Sequence, residues 1–152
     1  MDIKEKLKAL GLELPAPSKP GGNYVPVCIR RNIAYIAVQF PKSGAEMLFK
    51  GRLGDELSTE DGYQAMQLCA LNVLAHIGNS IGFEKVLGIN HLEITYQAAE
   101  GWDEAPKVAD GASDLLVSVL GDKGIHSRNI FGVEKLPKNF SVGLTCSLTI
   151  AD

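Results

Sequence analysis

The stretch that decides the fold is His126-Ser127-Arg128-Asn129-Ile130-Phe131-Gly132-Val133-Glu134-Lys135-Leu136-Pro137. It reads as a strand closed by a Pro-punctuated turn, with a partner strand following over 140–150. One cation, Arg128, sits inside an otherwise apolar run, and a fixed cation in such a place needs an anion. That anion is either a structural carboxylate or a ligand. The available structural partners are Glu93, Glu134 and Asp114. His126 lies two residues before Arg128, so on a strand it projects from the same face. It could work as a pocket acid or base, or it could be an exposed loop residue just after Gly124.

Upstream, Ser58-Thr59-Glu60-Asp61 carries the hydroxyl cap and first-turn acids of a helix start. That helix runs to about Ile81, with Met66, Ala70, Val73, Leu74 and Ile77 as its buried stripe. Residues 86–96 read as a strand with Leu92, Ile94 and Tyr96 on one face. Asn90 and His91 lie on opposite faces near its middle. A loop over 98–107 carries Trp102 and Pro106, and a second helix follows over 108–120, with Gly121 just past its end. Nearer the N-terminus, 33–40 is almost wholly apolar, as for a strand covered on both faces. It pairs as a hairpin with 24–29, where Pro26 marks an edge or a bulge. Residues 41–45 and 48–57 read as loop, and 14–23, with three prolines and two glycines, as extended chain. Asp2 caps a short helix over 3–10, so 1–13 is a helical extension on a single domain spanning 1–152. The order ββ-α-β-α-ββ predicts an α+β fold, a mixed β-sheet with two helices on one face.

Composition narrows the function classes. The net charge is −3 and the chain has no basic stripe, which opposes nucleic-acid binding. Cys28, Cys69 and Cys146 are odd in number and widely spaced, which opposes both a disulfide framework and a zinc site. His91 and Asn90 form no metal constellation with any residue at suitable spacing. The N-terminus lacks an apolar signal core and no run approaches a membrane span. The expectation is a cytoplasmic protein without metal or cofactor and without a membrane partner.

Several stretches then follow one another in a specific order: Leu14-Pro15, Gly21-Gly22-Asn23-Tyr24-Val25, Val38-Gln39, Gly51-Arg52-Leu53-Gly54, Ala70-Leu71-Asn72-Val73-Leu74-Ala75, Gly111-Ala112-Ser113-Asp114-Leu115-Leu116, and Gly121 through His126-Ser127-Arg128 to Leu136-Pro137. From residue 14 onward the set resembles the Rid family, also called the YjgF or endoribonuclease L-PSP family, and most of all its longer branch. The resemblance implies a chorismate-mutase-like fold and a homotrimer whose sheets form a central barrel. It also implies a ligand cleft at each subunit interface. In active members the arginine at the Arg128 position grips a substrate carboxylate. A glutamate on the last strand helps water attack a 2-imino acid, and ammonia and a 2-keto acid leave. Tyr24 matches a pocket tyrosine.

The chain departs from that pattern at defined positions. Counted from Leu136-Pro137, the catalytic glutamate falls at Gly143. The serine-glycine pair before Gln39 is Ala37-Val38. The pocket asparagine corresponds to Gly111 and the pocket cysteine to Ile130. The anion grip is kept and the catalytic polar set is thinned. The resemblance therefore implies binding of a small carboxylate, or a 2-imino or 2-keto acid, in an inter-subunit cleft. Arg128, Tyr24, Val38, Gln39, Gly111, Ile130 and Gly143 would line that cleft. His126 and Glu134 are the candidates to stand in for the missing base. The alternative is an active enamine/imine deaminase, a hydrolase. Ribonuclease activity stands third, opposed by the acidic balance.

Overall fold

Thr59–Ser80 forms the long helix α2 because its start is locked at both ends of a capping box. The Ser58 hydroxyl accepts from the Asp61 N–H at 3.0 Å, and the Asp61 carboxylate accepts from the Ser58 N–H at 2.9 Å. Met66, Cys69, Ala70, Val73, Leu74 and Ile77 are fully buried along one side. The computed structural model covers residues 1–152. Helix α1 is Ile3–Ala9, capped by Asp2, and helix α3 is Ala105–Leu120. Helix α3 starts three residues before the expected Val108. Pro106 sits in its first turn, where a missing N–H leaves no bond unmade.

The strands are β1 (Val27–Arg30), β2 (Ile33–Gln39), β5 (Val86–Tyr96), β6 (Ser127–Gly132) and β7 (Val142–Ile150), in sheet order β1-β2-β7-β5-β6. Between them β3 (Lys42–Ser43) and β4 (Glu46–Met47) make a two-residue-long hairpin where plain loop was expected. Strand β6 lies parallel to β5, and the other pairs are antiparallel. The sheet is mixed, as predicted, but β6 and β7 are not partners. Parallel neighbours need a crossover, and α3 supplies one between β5 and β6. The turn at Pro137 then sends the chain back across β5 to its other side. Strand β1 starts at Val27 rather than Tyr24, because Tyr24 and Val25 lie exposed ahead of Pro26.

Helices α2 and α3 cover one face of the sheet. Ala34, Ile36, Leu92, Ile94, Leu144, Cys146 and Leu148 are buried beneath them. The other face is open within one chain. Strand β2, expected to be covered on both sides, instead alternates: Ala34 and Ile36 are buried while Tyr35 between them is half exposed. Burial on the helix side pushes the Cys146 thiol up to about 12, so it stays a neutral core group. Leu7 of α1 joins the core, and Lys6 Nζ donates to the Val119 carbonyl at 3.3 Å.

One glycine fixes the helix pair. A Cβ on Gly111 would stand 2.1 Å from the Tyr63 carbonyl oxygen, so α3 docks on α2 backbone to backbone there. Beside it the Tyr63 hydroxyl donates to Asp114 at 2.7 Å. That bond, with burial and the nearby Asp110 charge, pushes the phenol up to about 12. No helix is long and apolar enough to cross a membrane.

Candidate ligand-binding site

Arg128 is on the edge strand β6, opposite Leu92, and so points to the helix side. Its Nη1 donates to Asp110 Oδ1 at 2.8 Å and to Ser113 Oγ at 2.9 Å, both on α3. Residues i and i+3 of a helix share a face, which brings both acceptors to one guanidinium nitrogen. The expected structural partners lie elsewhere. Asp114 is taken by Tyr63. Glu93 pairs in register with Asn129, one residue out of phase with Arg128, and so lies on the open face of the sheet. Glu134 is exposed in the loop after β6, and only its carbonyl is engaged, by Arg52 Nη2.

His126 precedes β6 and belongs to the same corner. Its Nδ1 is 2.6 Å from the Gly124 carbonyl, which can only accept, so Nδ1 carries a proton. In the neutral ring Nε2 then accepts from the Ser113 hydroxyl at 2.8 Å, while that oxygen accepts from Arg128. Both ring nitrogens are occupied. His126 therefore orients Ser113, and through it Arg128, which leaves no nitrogen free for a substrate proton. The two Nη1 bonds leave Nη2 and Nε of Arg128 without a partner. The side chain is a quarter exposed.

A second group gathers at the other end of the sheet. Tyr24, Val38, Gln39, Ser18, Lys19, Phe40, Lys42, Met47, Asn72, Pro137, Lys138 and Phe140 surround a cleft of about 170 Å³. Phe40 and Phe140 stack there, centroids 4.9 Å apart. The Gln39 side chain is buried. Its Nε2 donates to the Ala37 carbonyl, so its Oε1 is the acceptor for the Ser18 hydroxyl at 3.0 Å. Ser18, having given its one proton to Gln39, accepts from His76 Nε2 at 2.9 Å. Burial holds the His76 imidazole below its ordinary titration range, which suits this neutral relay. The relay pins the extended 14–23 segment against the sheet.

Gly143 lies on β7 opposite Thr95, on the open face. A Cβ built there meets Phe40, Thr95 Oγ1 and Val38 at 3.1–3.2 Å, so it adjoins the wall of this cleft. No carboxylate is among those neighbours. Gly111 is sealed between the helices and lines no cleft, and Ile130 packs against the core. The candidate residues thus fall into two groups, Arg128 with His126 at the β6 edge and Tyr24, Val38, Gln39 and Gly143 towards the β1–β2 end. Two strands, β7 and β5, separate β2 from β6, so one chain does not bring the groups together. No cluster of His, Cys, Asp and Glu could hold a metal ion.

Sequence reading missed Asp110, Ser18, His76 and the three cleft lysines. The i, i+3 spacing of Asp110 and Ser113 was a usable signal. Ser18 and His76 meet only through the tertiary fold, and no local pattern marks them.

Comparison with known proteins agrees with this architecture. Residues 4–148 match the model of the YjgF/chorismate mutase-like, putative endoribonuclease family. Protein TCP17 of Trypanosoma cruzi is 32% identical over 137 residues, covering 89% of this chain and 86% of its own. The crystal structure of a putative endoribonuclease from Shewanella oneidensis superposes with a TM-score of 0.94 at 32% identity, covering 98% of this chain and 99% of that one. Protein Atu1372 of Agrobacterium tumefaciens superposes with a TM-score of 0.92 at 31% identity, covering 98% and 92%.

Proposed function

The chain belongs to the YjgF/chorismate mutase-like, putative endoribonuclease family, and from that premise we propose that it binds a small carboxylic acid, of the 2-keto or 2-imino acid class, in a cleft completed by a second copy of itself. The observation that carries this reading is the state of Arg128. Asp110 and Ser113 hold its guanidinium through one nitrogen and leave Nη2 and Nε unpaired. Those two donors form a fork that matches a carboxylate in a bidentate pair. A half-exposed ion pair of this kind adds only about 0–1 kcal/mol of stability, so its worth lies in orientation. The split of the candidate residues between opposite ends of one sheet supports a homotrimer. The β6 edge of one copy would meet the Tyr24–Gln39 wall of the next.

Binding without efficient turnover is the expected outcome. Gly143 stands where a base would be needed, and its nearest polar neighbour is the Thr95 hydroxyl, a poor base near neutral pH. His126 has both ring nitrogens engaged, and Glu134 lies exposed in the loop after β6. The second reading, imine deamination, predicts ammonia release from enzymatically generated 2-iminopropionate at rates above buffer.

Thermal shift with pyruvate and 2-ketobutyrate, compared between wild type and Arg128→Ala, tests the proposal. A shift of the wild type that is lost in the variant is expected. A shift of equal size in both would remove Arg128 as the grip. Light scattering on the eluting protein should give three times the chain mass. A monomer that binds equally well would remove the shared cleft.

A further inference from the structure

The cleft beneath Tyr24 carries an electrostatic feature that a simple carboxylate does not explain. Lys19, Lys42 and Lys138 all line it, and no aspartate or glutamate does. They come from three separate segments: the extended N-terminal stretch, strand β3, and the turn before β7. The two ion pairs of the chain, Lys107–Glu104 and Arg128–Asp110, involve none of them. In a chain with more acids than bases, three unpaired ammonium groups around one recess run against the average charge.

The backbone around each lysine is fixed by buried groups. Lys19 follows Ser18, which Gln39 and His76 pin. The Lys42 carbonyl accepts from Asn72 Nδ2 at 2.9 Å, and Asn72 is buried on α2. Lys138 is the most telling. Its φ is +53° and that of Asn139 is +61°, two successive non-glycine residues in the left-handed region. Lysine has no short polar group to stabilise that conformation locally, as asparagine does. The turn persists because the buried Gln97 clamps it. Gln97 Nε2 donates to Asn139 Oδ1 and to the Gly51 carbonyl, both at 2.9 Å, and Gln97 Oε1 accepts from the Leu136 N–H at 2.8 Å. A merely solvated charge needs no such anchor, and strain held by its surroundings is a pointer to function.

We propose that this cleft binds a small doubly charged anion, with the lysine ammonium groups taking its charge and the Phe40–Phe140 pair its apolar body. Lysines are compact point charges without the planar fork that selects a single carboxylate. They suit a phosphate group, or a second carboxylate on the same molecule. At about 170 Å³ the cleft is well below the roughly 300–1,000 Å³ of a drug-sized pocket, so the occupant is small. The inference rests on the reading of Tyr24, Val38 and Gln39 as one wall of the ligand cleft. It adds that the natural acid carries a second anionic group remote from Arg128.

Calorimetric titration at constant ionic strength with inorganic phosphate, malonate and acetate tests it on the full chain. Phosphate, malonate or both should bind well above acetate. Phosphate alone would indicate a phosphate ester and malonate alone a dicarboxylic acid. Lys42→Met and Lys138→Gly should each weaken dianion binding by about tenfold, the loss of one charge-assisted contact. Lys123→Met, which removes an exposed cation elsewhere, should leave it unchanged. Lys138→Gly accepts the left-handed backbone, so it should melt at or above the wild-type temperature and keep a binding loss from being a folding loss. Acetate binding as tightly as the tighter-binding dianion, no dianion binding, or dianion binding indifferent to both substitutions would overturn the proposal. Arg128→Ala separates the two readings. If it abolishes 2-keto acid binding while phosphate binding persists, both stand. If only the lysine variants have no effect, only this one falls.

Discussion

The two ends of the sheet solve the problem of a cation in opposite ways. At the β6 edge Arg128 sits in a closed circuit with Asp110, Ser113 and His126, and every charge there has a counter-charge or a lone pair. At the other end three lysines converge with no acid among them. The polar groups under them, Gln39, Ser18 and His76, form a neutral relay. The first arrangement orients a single guanidinium and spares two donors. The second accumulates charge. The difference teaches that pairing a cation internally and presenting it to a ligand are not exclusive: Arg128 does both, because a guanidinium has more donors than one helix turn can satisfy.

The closed end depends on how tightly α3 sits on α2, and Gly111 is the place to break it. A methyl group there would overlap the Tyr63 carbonyl, a backbone atom that cannot swing aside. Gly111→Ala should cost about 3 kcal/mol in chemical denaturation. It should also weaken 2-keto acid binding, since the shift of α3 carries Asp110 and Ser113 away from Arg128. Gly143→Ala is the matching test at the open end. Its new methyl group would meet side-chain atoms that can give by a few tenths of an ångström, and a strand residue gains from losing glycine's freedom. A change within about 0.5 kcal/mol of zero is expected. Equal losses at the two sites would erase the contrast between a glycine packed against backbone and one packed against side chains.

The open end depends on Gln97. Gln97→Leu keeps the volume and strips the clamp, leaving the Leu136 N–H and the Gly51 carbonyl buried without partners. A loss of about 2 kcal/mol is expected. Because the Lys138–Asn139 turn then relaxes, phosphate binding should weaken while the Arg128 corner keeps its 2-keto acid response. Loss of both responses together would show the two ends to be one cooperative unit.

Much of this was legible in the sequence. The capping box at Ser58, the strand over 86–96 and the α2 stripe are local patterns, and each appeared where spacing put it. The family resemblance singled out Arg128 and Gly143, which stand on β6 and β7. What the residues could not give was partnership. Strand β6 follows α3 and so pairs parallel with β5, although its nearest later strand is β7. Asp110 was passed over for Asp114, which lies four residues and about one helical turn further along α3 and is taken by Tyr63 instead. Gly111, aligned with a pocket asparagine, turned out to be the contact point of two helices, a role that carries no chemical signature in sequence.

The gentlest test concerns His76 and separates the neutral relay from the charged corner by pH. Burial lowers the His76 titration below its ordinary 6.5, so folding disfavours its protonated form. Below that ordinary value the unfolded chain takes up a proton that the folded chain resists. Unfolding then binds protons, and stability falls with falling pH. The contribution is fully present above about pH 6.5 and is lost progressively as pH drops below it. His76→Gln replaces the ring with an amide that can still donate to Ser18 and does not titrate. Chemical denaturation of both proteins between pH 8 and pH 5 should show a shallower decline in the variant, with similar stability at pH 8. Parallel declines would mean that the ring already holds its proton in the fold. In that case the cleft floor would carry a fourth positive charge, and the contrast between neutral floor and cationic wall would have to be redrawn as cationic throughout.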